Sequence, residues 1–302
     1  MTSRLDRLGL AACWAAGLAL CVVAGALVLY MLFKGLSELR PGLLFERANL
    51  DVDQTKAGGL LDPLLGSLLV TAIGTAVALP LGVAIALWLT EYGRPRGLAR
   101  AVESGVEVIA GTPSIVLAVF GLIVFSEAFL SVLSFQPEGA DTAFGRSFAI
   151  AGTMMSLVAL PLVVGATREG LNAVPAHVRE ASYALGKTKA ATIRRVLLPS
   201  VRGNVAAGTA LGMGRIVGDT AIIVILLGAT LRFQPLEDVF GPVGAARGTG
   251  STLTSYVYNN SPAGEGGAFE KAYAAAFVLL VLVVLLNLVV ARLAPRREAA
   301  AG

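Results

Sequence analysis

Six apolar stretches of about 20 residues or more dominate this 302-residue chain. They cover residues 8–33, 66–89, 107–129, 148–167, 205–227 and 272–293. A membrane-spanning helix needs about 20 mostly apolar residues, so the pattern predicts six transmembrane helices. Only 15% of the residues are charged, against about 25% in soluble domains. The sequence therefore excludes a soluble enzyme and a disordered chain, and predicts an all-α integral membrane protein.

The first apolar stretch has some features of a secretory signal peptide. Arg4 and Arg7 precede it, and residues 24–26, Ala-Gly-Ala, resemble a cleavage site. Its apolar core is longer than the 7–15 residues typical of a signal peptide. The stretch is therefore expected to remain in the protein as the first helix.

Lysine and arginine residues are divided unequally between the two sides of the predicted membrane. If both termini share a side, that side holds fifteen of them and the opposite side holds eight. Cytoplasmic loops of membrane proteins carry the excess of these residues. Both termini are therefore predicted to be cytoplasmic, and the basic isoelectric point requires no nucleic-acid partner.

The predicted spans divide the chain into three parts. Residues 1–64 hold the first helix and an external loop, residues 65–294 a transmembrane core with a cytoplasmic loop at 168–204, and residues 295–302 a cytoplasmic tail. The halves of the chain do not repeat, so an inverted-repeat transporter is not supported. His177 is the single histidine, and no metal site or cofactor is expected.

The cytoplasmic loop at 168–204 predicts two short amphipathic helices. Pro175 suits the first turn of one helix, and Gly186 suits the left-handed residue that ends it. A second helix is predicted from Thr188, with Pro199 as its end. Such helices either lie on the membrane surface or dock into a partner protein, and generic physics leaves both open.

Residues 181–188, ASYALGKT, nearly match the phosphate-binding loop G-x-x-x-x-G-K-[ST]. Ala181 replaces the first glycine, and a helix precedes the string where the motif needs a strand. Nucleotide binding by this chain is therefore not expected.

The same loop resembles the EAA motif of bacterial ABC importer permeases. The resemblance is carried by residues 179–186, REASYALG, followed by VLLP at 196–199. It implies the type I ABC importer permease fold and coupling helices that sit in a groove of a cytoplasmic ATPase subunit. In that comparison Glu180, Ala181, Leu185 and Gly186 are the contact and turn residues, and a cysteine at Ser182 should crosslink to the ATPase.

Two charges interrupt the fifth apolar stretch. Arg215 and Asp219 are spaced i, i+4, which would place them on one face of a continuous helix together with Gly208 and Gly212. A charge at mid-bilayer costs about 2.5–3.5 kcal/mol on insertion scales, so this face should point into the bundle. Either the pair is a structural ion pair between helices, or Arg215 lines an anion path with Asp219 as its partner.

A second resemblance favours the anion path. Residues 215–220, RIVGDT, are similar to the Arg-Ala-Leu-Gly-Glu-Thr segment of phosphate-specific (Pst) permeases, and AGTPSIV at 110–116 resembles their Ala-Gly-x-Pro-Ser segment. Pro113 is expected to kink the third helix. The resemblance implies a permease that carries inorganic phosphate past Arg215 and Asp219. Within the family, the short N-terminus and residues 160–164, LPLVV, favour the PstA-type subunit.

The combined expectation is a membrane subunit of an ATP-driven phosphate importer in the bacterial cytoplasmic membrane. It implies a second permease subunit, cytoplasmic ATPase subunits and a phosphate-binding protein outside. The chain itself is not expected to be an enzyme. A permease for another oxyanion, such as sulfate or molybdate, is the alternative. A membrane-embedded enzyme fits less well, because no cluster of catalytic side chains is found within the spans. A self-contained secondary transporter also fits less well, because it would leave the EAA-like loop without a docking partner.

Overall fold

Helices form almost all of the part of the chain that the computed structural model describes, which is residues 4–48, 58–127, 133, 145–227, 242–262, 264 and 267–293. Its thirteen α-helices are α1 (Arg4–Glu38), α2 (Pro41–Phe45), α3 (Leu61–Leu87), α4 (Arg96–Gly111), α5 (Ser114–Phe125), α6 (Phe148–Ala173), α7 (Ala176–Ala184), α8 (Lys189–Thr192), α9 (Leu198–Gly218), α10 (Ala221–Leu227), α11 (Pro242–Arg247), α12 (Leu253–Asn260) and α13 (Phe269–Leu293). One π-helical turn, Trp88–Tyr92, follows α3, and another, Ile193–Leu197, joins α8 to α9.

Four of the described helices, α1, α3, α6 and α13, are long and apolar enough to cross a membrane. The count rises to six if two bent pairs each form one crossing, namely α4 with α5 and α8–α9 with α10. The predicted third and fifth spans, residues 107–129 and 205–227, thus each contain a break between two helices. The tail at 295–302 and residues 49–57 of the predicted external loop lie outside the described residues.

The core of the protein is built from α3, α6 and α9, with α6 packed against both of the others. Glycines lie where α3 and α6 cross. A Cβ added to Gly152 would lie 2.6 Å from Cγ2 of Ile73, and one added to Gly74 would lie 3.2 Å from the carbonyl oxygen of Gly152. Without a side chain at these positions the backbones approach closely, as small residues allow in membrane helices.

Replacing Gly152 by alanine is expected to destabilise the protein by about 1–3 kcal/mol, because a new methyl group would overpack this crossing. The matched control is Gly165→Ala on the same helix, since nothing lies within 4 Å of where its Cβ would be. Helix propensity predicts that the control gains about 0.5–1 kcal/mol. Thermal unfolding in detergent measures both variants, and equal shifts of their midpoints would contradict the packing argument.

Helix α1 lies at the edge of the bundle and packs chiefly on α13. Tyr30 and Tyr273 meet edge to face with ring centroids 6.0 Å apart, and a Cβ at Gly35 would lie 2.4 Å from that of Phe277. The remaining faces of α1 are apolar and exposed, which suits contact with lipid. Cys13 and Cys21 are unbridged and exposed on these faces.

Candidate functional site

The fifth apolar stretch breaks at Asp219. Helix α9 ends at Gly218, α10 starts at Ala221, and their axes differ by 58°. Asp219 has extended backbone angles, φ −81° and ψ 123°, and its Oδ1 accepts a hydrogen bond of 3.2 Å from the backbone N–H of Ile222. Asp219 therefore caps the start of α10, a role for which Asp is favoured, and does not lie inside a continuous helix.

Arg215 and Asp219 remain neighbours across this break, with Nη2 and Oδ2 3.9 Å apart. Their surroundings differ, because 55% of the Arg215 side chain is exposed and only 5% of the Asp219 side chain. A separation of 3.9 Å is too long for a hydrogen bond. Within the described part of the chain, the guanidinium of Arg215 thus keeps its N–H donors available while a buried carboxylate holds its position.

The predicted stripe of Gly208, Gly212, Arg215 and Asp219 is divided in the structure. Gly208 and Gly212 are buried against α6, where a Cβ would lie 2.8 Å and 3.2 Å from the Cβ atoms of Ala166 and Ala159. Arg215, however, is exposed on the surface of this chain. The glycines therefore bring α9 onto α6, and the arginine points away from that contact.

Hydroxyl groups from α3 and α12 brace the break from behind. Oγ1 of Thr254 donates a hydrogen bond of 2.7 Å to the carbonyl of Val217, and Oγ of Ser67 accepts one of 2.8 Å from the N–H of Leu253. These side chains border a cavity of about 10 Å³, roughly the room that one water needs. Sequence reasoning missed this brace, although the hydroxyl-rich string STLTS at 251–255 is a helix-start signal.

The chain turns even more sharply at Thr112 and Pro113, where α4 and α5 meet at 107°. Proline disfavours helical angles at the residue before it, and Thr112 is extended with ψ 129°. Oγ1 of Thr112 donates a hydrogen bond of 2.7 Å to the carbonyl of Val108. The expected kink is thus a full break, and the two helices that follow the breaks, α5 and α10, pack against each other.

The cytoplasmic loop of the prediction forms a helix–glycine–helix unit. Helix α7 begins after Pro175, as the sequence predicts, and Gly186 has φ +73°. Its N–H donates to the carbonyl of Tyr183 at 2.9 Å. Thr188 then starts the next helix by accepting a hydrogen bond from the N–H of Ala191 at 3.3 Å.

The predicted end of the second loop helix at Pro199 is wrong. Helix α8 continues through the π-helical turn into α9, so that residues 189–218 form one continuous helical segment. Pro199 lies in the first turn of α9, where the wider π turn removes the need for the N–H that proline lacks.

The side chains of the loop divide into a buried and an exposed set. Oγ of Ser182 is buried and lies 2.8 Å from Oγ1 of Thr192, so Ser182 is poorly placed for the expected crosslink to an ATPase subunit. Glu180 and Ala181 are exposed, and Leu185 exposes 78% of its surface beside the Gly186 turn. The exposed set forms a knob with an apolar tip.

Comparisons with known proteins identify the family of the chain. The family model described as "Binding-protein-dependent transport system inner membrane component" matches residues 78–299. Phosphate transport system permease protein PstA 1 of Mycobacterium tuberculosis (strain CDC 1551 / Oshkosh) is 35% identical over 235 residues, which are 78% of this chain and 70% of that protein. Permease protein PstA of Mycobacterium leprae (strain TN) is 34% identical over 232 residues, 77% of this chain and 69% of that protein.

A solved structure shares the fold. A bacterial ABC transporter involved in the import of the acidic polysaccharide alginate aligns with a TM-score of 0.62 at 16% identity, over 98% of this chain and 100% of that chain. The chain is therefore a multi-pass inner-membrane permease of an ABC importer, and belongs to the binding-protein-dependent transport system inner membrane components as a member of the phosphate transport system (Pst) permeases.

Proposed function

We propose that this permease carries inorganic phosphate and that Arg215 is the cation that the anion meets on its way. The observation that carries the proposal is the geometry at the break in the fifth stretch. An arginine with available donors stands on the surface of the chain, and buried Asp219 lies 3.9 Å behind it. A planar guanidinium suits the oxygens of a tetrahedral anion.

The exposure of Arg215 also supports a second permease subunit. A lipid-facing arginine deep in a bilayer is strongly disfavoured, so its exposed side should face protein or water. Non-helical backbone, such as that of residues 219–220, is tolerated at membrane depth where it lines a cavity or is buried in protein. A path between two permease subunits would satisfy both requirements.

The exposed knob around Gly186 is proposed as the contact with a separate cytoplasmic ATPase subunit. Glu180, Ala181 and Leu185 supply its surface, and ATP hydrolysis by that subunit would move it. Both termini are then cytoplasmic, in agreement with the distribution of Lys and Arg. A phosphate-binding protein would deliver the anion on the opposite side.

A cysteine at Leu185 is expected to crosslink to the ATPase subunit in the assembled complex, since this side chain exposes 78% of its surface. Ser182→Cys is the matched control three residues away, and its buried thiol should react much more slowly. Crosslinked product on denaturing gels measures both variants. Equal yields of crosslinked ATPase from the two variants, or crosslinks from position 185 to lipid only, would argue against docking through this knob.

Measurements of ATP hydrolysis in the purified complex identify the transported anion. The permease pair, the ATPase subunits and the binding protein are reconstituted in liposomes, and hydrolysis is compared with phosphate, sulfate and molybdate. Of these three anions, only phosphate should raise the rate of ATP hydrolysis. Stimulation by sulfate or molybdate in its place would show that the path is built for another oxyanion.

A further inference from the structure

A carboxylate with little exposure joins the loop to the end of helix α3. Glu91 lies in the π-helical turn after α3, and only 7% of its side chain is exposed. Its Oε1 accepts a hydrogen bond from Nε of Arg179 and lies 3.1 Å from Nη2 of the same guanidinium. Arg179 belongs to α7, so this ion pair ties α7 to α3 across 88 residues of sequence.

Arg179 also binds the end of α6. Its Nη1 donates to the carbonyl of Val174 at 2.7 Å, and its Nη2 donates to the carbonyl of Leu171 at 2.8 Å. Carbonyls at a helix C-terminus lack partners within the helix and carry partial negative charge. One guanidinium therefore holds α7, the end of α6 and the end of α3 together.

The other arm of the loop holds the same π-helical turn. Nζ of Lys189, at the start of α8, donates to the backbone carbonyl of Glu91. The same ammonium lies 4.6 Å from the centre of the Tyr92 ring, within the range of a cation–π contact. The segments before and after Gly186 thus both bind residues 91–92.

We propose that Glu91 is a positioning residue through which the loop moves helix α3, an inference that rests on the proposed docking of the loop to an ATPase subunit. The far part of α3 contacts the helix that bears Arg215. A Cβ added to Gly74 of α3 would lie 2.9 Å from Cδ1 of Ile216, the residue after Arg215. A displacement of α7 therefore reaches the neighbourhood of Arg215 through Glu91 and the length of α3.

Glu91→Gln tests this role, because glutamine keeps the shape and one acceptor oxygen but removes the charge that holds Arg179. In the reconstituted complex, phosphate transported per ATP hydrolysed should fall about tenfold, the effect of one weakened charge-assisted hydrogen bond. The yield of assembled complex should stay unchanged. The matched control is Glu103→Gln, which breaks the ion pair of Glu103 with Arg168 between α4 and α6. That pair is more than one-third exposed, so transport per ATP should change by less than about twofold.

A distance measurement separates this inference from the identity of the anion. Spin labels at exposed positions 94 and 184, with Cys13 and Cys21 replaced by serine, report the separation of α7 from the end of α3. The distance should be the same with and without ATP in the wild-type background, and should change on ATP binding in Glu91→Gln. If phosphate does not stimulate ATP hydrolysis in the wild-type complex but the spin-label distances change as expected, the phosphate proposal fails and the role of Glu91 stands. The role of Glu91 would be overturned if Glu91→Gln transported as much phosphate per ATP as the wild type, or if Glu103→Gln lost as much. It would also be overturned if the substitution at Glu91 left the spin-label distances unaffected.

Discussion

Replacing Arg215 by alanine should reduce phosphate uptake about 100-fold, because the anion loses charge-assisted hydrogen bonds of about 1.5–3 kcal/mol each. The loss should appear in uptake by proteoliposomes that contain normal amounts of assembled complex. Arg215→Lys should keep part of the activity, since an ammonium retains the charge but not the planar fork of donors. Arg202→Ala is the control, because Arg202 is an exposed arginine on the same helix. This variant should take up phosphate at the normal rate.

A variant with both charges removed decides between the anion path and a structural ion pair. In Arg215→Ala the buried carboxylate of Asp219 is left without its partner, which alone is destabilising. The double variant Arg215→Ala/Asp219→Asn removes that penalty, and asparagine can still cap the first turn of α10. Uptake should remain lost in the double variant. Recovery of uptake would mean that the pair only holds the helices together.

Replacing Gly186 by proline should uncouple ATP hydrolysis from transport. Gly186 has φ +73°, whereas the proline ring fixes φ near −65°. Proline would also remove the N–H that donates to Tyr183. Proline therefore cannot adopt the described turn, and α7 and α8 would no longer present one surface.

Gly186→Asn is the matched variant, because asparagine is the residue after glycine that most often takes the left-handed conformation. It should retain most of the coupling. The measurement is the stimulation of ATP hydrolysis by the loaded binding protein together with phosphate uptake. Normal values of both in Gly186→Pro would refute the assignment of the loop.

The sequence predicted the helical bundle well because its main determinant is local. Twenty apolar residues in a row specify a helix in a membrane whatever their neighbours are, so α1, α3, α6 and α13 lie where the apolar stretches predicted them. The turn at Gly186 was equally predictable, since glycine followed by a new helix start is a short-range signal.

The breaks were harder to predict because the hydropathy of an apolar stretch is the same whether its helix is continuous or broken. Spacing of i, i+4 brings Arg215 near Asp219 in a continuous helix, and the observed break also leaves them within 4 Å. The capping role of Asp219 depends on whether the helix ends at Gly218, which the apolar pattern does not encode. Likewise, Pro199 ended the helix in the prediction because the π-helical turn before it leaves no periodic signature.

The contacts of the loop were predicted least well because they depend on distant residues. Ser182 is exposed on an isolated helix but faces Thr192 in the fold. The Glu91–Arg179 pair joins segments 88 residues apart, and neither residue signals the other in sequence. Such pairs follow from tertiary packing, which a single sequence specifies only through the whole fold.

The position of α1 has a consequence for how the protein is made. Its principal partner within the chain, α13, starts at Phe269, far downstream of the end of α1 at Glu38. Residue 269 follows residue 38 by 231 positions, which corresponds to roughly 10–50 s of synthesis at about 5–20 residues per second. During that interval α1 must stay in the bilayer with its exposed apolar faces covered by lipid. Helix α1 therefore cannot dock onto α13 until the helices between them have been synthesised.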